Sequence, residues 1–113
     1  MCQALKTLFT EFSIDPNYVD IYRNRNDCIF LGANKVKDII ATLGLHKSTK
    51  WPNPTNITIN NETIQVLFTE SRTVENRVDI IYRVVRFRCG TTVICIKSRE
   101  ALNPYLADID RPF

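Results

Sequence analysis

Glycine and histidine are scarce in this sequence, with three glycines and one histidine, His46, in 113 residues. So few glycines leave no loop able to cradle a phosphate, and no G-x-S-x-G elbow occurs. A lone histidine and the lack of paired carboxylates leave no assembled acid–base set, so a non-enzymatic protein is expected. Long apolar runs are missing too. The N-terminal MCQALKTLFTEF is interrupted by Lys6 and Glu11 and is followed by no small-residue cleavage site, so neither a signal peptide nor a membrane span is expected there. Charge of one sign is lacking: 15 basic against 12 acidic residues give +3 and a pI near 8.8. This permits nucleic-acid binding without requiring it. There is no repeat at solenoid periods and no low-complexity tract.

The four cysteines, Cys2, Cys28, Cys89 and Cys95, include no C-x-x-C pair. Zinc sites are usually built from closely spaced ligand pairs, so no metal and no cofactor is expected. Without a secretory signal the expectation is four reduced, buried thiols in an intracellular protein. On that expectation the sequons Asn56-Ile57-Thr58 and Asn61-Glu62-Thr63 are polar turn residues rather than glycan acceptors.

The residues that are present suit a single domain with one core. Leu5, Leu8, Phe9 and Phe12 recur at i, i+3, i+4, i+7 and predict a docking helix over 3–12, ended by the turn Asp15-Pro16-Asn17. Tyr18–Arg23 alternates, NRND has turn chemistry and CIFL is apolar, together reading as a β-hairpin. Val36, Ile39, Ile40 and Leu43 form one stripe of a second helix over 34–44, with Asn34 as its cap and Gly44 as its stop. HKSTKWPNPTN follows as a loop in which the pair Lys47 and Lys50 stands beside Trp51. ETIQVLF fits a strand or a helix, and periodicity does not decide between them. Val74, Val78, Ile81, Tyr82 and Val85 favour a third helix over 73–84. The competing reading makes DIIYRVVRFRC a strand paired through Cys89-Gly90-Thr91 with TTVICIK. The expected fold is α+β, with three helices on a small, mostly antiparallel sheet, an extended segment over 85–113 and a tail ending DIDRPF.

The run FLGANKVKDIIATLGLHKSTK followed by INNETIQVLFTESRTVEN resembles the N-terminal domain of the viral Bro (baculovirus repeated ORF) proteins. The positions that carry it are Ile59-Asn60-Asn61-Glu62-Thr63-Ile64, Leu67-Phe68, Ser71-Arg72 and Glu75, within a match spanning Tyr18 to Tyr82. The order of elements is also similar to the N-terminal domain of the baculovirus polyhedron envelope protein. The resemblance implies a viral, intracellular DNA- or RNA-binding module, acting in the host nucleus. Its phosphate contacts would come from Arg23 and Arg25, Lys47 and Lys50, and Arg83, Arg86 and Arg88. The alternative is a viral structural protein that self-associates into a homo-oligomer through the β-branched run Val84–Ile96, acting as an exposed sheet edge.

Overall fold

The computed structural model describes residues 2–45 and 54–102. The first half of the chain is helical: α1 (Gln3–Glu11), α2 (Tyr18–Tyr22) and α3 (Ala33–Leu43), with a two-residue strand β1 (Ile29–Phe30) before α3. The described residues from Thr55 onward form strands: β2 (Thr55–Ile59), β3 (Glu62–Glu75), β4 (Val78–Cys89) and β5 (Thr92–Leu102).

The two longer helices stop in the same way. After α1, Ser13 takes a left-handed φ of 60°, and the Ile14 N–H reaches back to the Phe9 carbonyl at 2.9 Å. After α3, Gly44 has φ 66° and the Leu45 N–H bonds the Ile40 carbonyl at 3.0 Å. Both are Schellman ends, and in both the next residue, Ile14 or Leu45, is buried against the core. The N-cap of α3 is Gly32, without a side-chain cap, so Asn34 lies inside the helix instead of capping it.

The strands are ordered β1-β5-β4-β3-β2, with every pair antiparallel except β1 with β5. The hairpins β2–β3 and β3–β4 turn through Asn60-Asn61 and Asn76-Arg77, four residues with φ between 51° and 67°. Two successive positive φ values give the type I′ twist that suits a right-twisted hairpin. β4–β5 turns through Gly90-Thr91, with Gly90 at φ 62°. The result is one α+β domain, three helices with a five-stranded mixed sheet. Along β4 the inward residues are Val85, Phe87 and Cys89, and they meet Ile64, Val66 and Phe68 of β3 and Ile94 and Ile96 of β5. On this face α1 contributes Leu5, Leu8 and Phe9 and α3 contributes Val36 and Ile39. The ring of Phe9 meets that of Phe87 edge-on at 5.5 Å, a favoured aromatic geometry.

Three sequence expectations are corrected here. Tyr18–Tyr22 is helix, not strand: the Asn17 N–H bonds the Asp15 carboxylate and the Tyr18 N–H the Asp15 carbonyl, which starts a helical turn. Five residues are too few for alternation to separate strand from helix, and Val19 alone of them is buried. The span 73–84 is strand, not helix. Thr73–Glu75 close β3, and after the turn Asp79–Val84 pair with both β3 and β5. The β-branched valines and isoleucines lose rotamer freedom in a helix and pack well across a sheet. Finally, Val84–Ile96 is no free edge. β4 is flanked on both sides, and the outer side of β5 is bonded to Asn24 at Val93 and to β1 at Ile96 and Lys97. ETIQVLF proves to be strand, in β3.

Ser98 continues the inward row of Ile94 and Ile96 and is fully buried, yet its hydroxyl has no hydrogen-bond partner among the described residues. A buried, unsatisfied hydroxyl is destabilising. Ser98→Ala is therefore expected to raise the unfolding free energy by about 1 kcal/mol, read as a higher midpoint in urea at unchanged slope.

Candidate functional site

A strand that directs Val85, Phe87 and Cys89 inward must direct Arg86 and Arg88 to the opposite face. Both are exposed. Beside them on that face lie Gln65 and Leu67 of β3 and Val93 and Cys95 of β5.

The segment between α2 and β1 closes one side of this surface. Asn24, at φ 55°, exchanges two hydrogen bonds with Val93: its N–H donates to the Val93 carbonyl at 3.1 Å, and its side-chain oxygen accepts the Val93 N–H at 3.2 Å. A disulfide between Cys28 and Cys95 fastens the same segment, with Cα atoms 4.7 Å apart. Together these enclose a cleft of about 550 Å³ lined by Asn24, Arg25, Asn26, Arg86, Arg88, Val93 and the Cys28–Cys95 bridge. Among the described residues, no carboxylate lines it. Arg25 is held over the Tyr22 ring at 5.4 Å and donates to Asp27 at 3.1 Å. Arg88 donates to the Gly90 carbonyl at 3.3 Å. Farther along the face, Lys97 sits over the rings of Phe30 and Tyr82, 5.6 and 4.8 Å from their centroids. The Tyr82 hydroxyl donates to Glu75, which also accepts from Arg99. These two bonds, Tyr82 first, hold the Glu75 carboxyl below its ordinary pKa.

The residues anticipated from sequence therefore separate. Arg25, Arg86 and Arg88 converge on one cleft. Arg23 is exposed at the end of α2 and does not line the cleft. Lys47 and Lys50, with Trp51, lie outside the described residues. Arg83 is on the helix-covered face, only 13% exposed, paired with Glu70 and Glu100. Its neighbours extend the network: Lys37 of α3 donates to Glu100 at 3.1 Å, and Arg72 lies 3.8 Å from Glu70. Arg83 is thus a structural cation joining three strands and is not available to a ligand. Lys97, Asn24 and Asn26 escaped the sequence reading. The strict alternation R-F-R-C was the available signal that Arg86 and Arg88 share a face.

The expectation of four reduced thiols is also corrected. Cys2 bonds Cys89 and Cys28 bonds Cys95, leaving no free cysteine. The partners are 87 and 67 residues apart in sequence, so no local spacing announced them. Cys2–Cys89 pins the start of α1 to the end of β4, where the Glu62 carboxylate also accepts the Ala4 N–H at 3.0 Å. Glu62 and the two sulfurs lie within 4.8 Å of one another, a set that could ligate a metal only after the disulfide was opened.

Comparison of the chain with protein-family models, with curated proteins and with solved structures finds no match.

Two outcomes follow. Each disulfide closes a long loop, and opening one is expected to cost about 4 kcal/mol on the chain-entropy model. Melting with and without a non-thiol reductant, with intact mass confirming a gain of two hydrogens per bridge opened, measures the loss. Separately, Glu100 has its carboxyl held below the ordinary value of 4.5, first by Arg83 and then by Lys37. A carboxyl with a lowered folded pKa stabilises above its unfolded value, and that contribution disappears as pH falls through the folded one. Glu100→Gln should therefore lower the melting temperature at neutral pH, with the difference from the parent narrowing below about pH 4.

Proposed function

We propose that this chain is a non-enzymatic binding module for a polyanion, a chain carrying repeated phosphate or sulfate groups. The observation that carries the reading is the convergence of Arg25, Arg86 and Arg88 on a cleft with no carboxylate among the described residues of its lining. Guanidinium groups suit this task, because their planar donors match the oxygens of phosphate and sulfate and their charge persists at every physiological pH. Arg86 and Arg88 come from the central strand of the sheet, so their positions are fixed before any ligand arrives. Lys97, farther along the face, extends the positive surface.

A nucleic acid is one such polyanion, and it is the one that the Bro-like order of residues would imply. That order is carried partly by residues of the core, Ile64 and Phe68, and by none of the three cleft arginines. The reading of function therefore rests on the cleft.

Replacing Arg86 and Arg88 together by alanine removes two exposed charges without touching the core. The double variant should keep the parent's far-UV spectrum and melting temperature within a few degrees. It should bind a polyanion at least about tenfold more weakly, with the salt dependence of log K shallower by roughly 1.5 units for two lost contacts. Fluorescence anisotropy across a salt series measures both. Equal affinities of parent and variant at every salt concentration, or no binding by the parent at low salt, would overturn the proposal.

A further inference from the structure

Resting on the polyanion reading above, we infer that the ligand is a sulfated glycan rather than a nucleic acid. Three features of the cleft lead there.

The first is chemical. Proteins that hold single-stranded nucleic acid combine a cationic track with aromatic rings on which bases stack. Among the described residues, no aromatic side chain lines this cleft. The nearest sheet neighbours of Arg86 and Arg88 on their face are Leu67, Gln65, Cys95 and Val93. The rings of Phe30 and Tyr82, with Lys97 over them, and of Tyr22, with Arg25 over it, lie outside that lining. The cleft recognises charge and offers bases no platform.

The second is the hydrogen-bonding complement. Asn24 uses its side-chain oxygen on Val93, which leaves its amide N–H groups as donors at the cleft, and Asn26 adds a second amide. Neutral amides beside guanidinium groups match a ligand whose sulfates alternate with hydroxyl groups.

The third is the floor. The Cys28–Cys95 bridge lines the cleft and, with Asn24, holds the Arg25 segment against β5. The disulfide is thus part of the cleft wall, and such bonds persist in extracellular and secretory surroundings. The polyanions abundant there are sulfated glycans of cell surfaces and matrices.

The test compares three probes of matched length at about 0.15 M salt, near physiological ionic strength: a heparin oligosaccharide, the same oligosaccharide after complete desulfation, and single-stranded DNA. The expected result is saturable binding of heparin by the oxidised protein, no measurable binding of the desulfated chain, and DNA at least about tenfold weaker than heparin. The Arg86→Ala, Arg88→Ala double variant should lose at least about tenfold in heparin affinity. DNA binding as tightly as heparin, or tighter, would overturn this inference and leave the polyanion reading intact. Retention of heparin binding by the desulfated chain would overturn it as well. Failure of every probe to bind even at low salt would overturn both.

Discussion

The central position of β4 is the constraint from which the rest of the molecule follows. Bonded on one side to β3 and on the other to β5, it cannot shift register by one residue without exchanging its two faces. In the observed register Val85, Phe87 and Cys89 pack beneath the helices. A slip would bury Arg86 and Arg88, and burying unpaired guanidinium groups is far costlier than exposing valine. The apolar core and the cationic face are thus two consequences of one alternation. The same register delivers Cys89 to Cys2 at the start of α1.

Charge is divided between the two faces for different uses. On the helix side, Lys37, Arg83, Glu70 and Glu100 join α3 to three strands at the end of the core, and each cation has its carboxylate. On the other side, Arg86 and Arg88 stand beside Arg25 with no acid among the described residues of the cleft lining. Arg25 does have a carboxylate in reach, Asp27, but that pair is exposed at both ends, where water and salt leave an ion pair worth little. An anion with several charged groups can therefore compete for Arg25, whereas nothing of the kind can reach Arg83.

The disulfides add what a small sheet with short helices lacks. α1 carries no side-chain cap at its N-terminus, and its start is held instead by the Cys2 bridge and by Glu62 reaching from β3. The segment between α2 and β1 has little regular structure of its own. Cys28–Cys95 and the paired bonds of Asn24 give it a fixed course along β5, and with it a fixed place for Arg25.

The sequence by itself determined the elements whose periodicity is long and capped. Leu5, Leu8, Phe9 and Phe12 specify α1, and the stripe from Val36 to Leu43 with Gly44 behind it specifies α3. The α+β class was legible as well, whereas Arg86 and Arg88 were expected at the end of a helix and share a face because they alternate along β4. Where a pattern is short or fits two periods, only the tertiary structure decided. YVDIY alternates as a strand would, yet the bonds of Asp15 start a helical turn and Val19 buries against the core. Val74, Val78, Ile81 and Val85 fit a helical stripe, but the turn at Asn76-Arg77, which has no glycine to announce it, folds the chain back so that each half finds a strand partner. Partners separated by 87 and 67 residues leave no local trace, so neither the bridges nor the cleft could be read in advance. Pairing across a sheet and bonding between distant sulfurs depend on what the rest of the chain brings alongside, and a one-dimensional pattern does not carry that information.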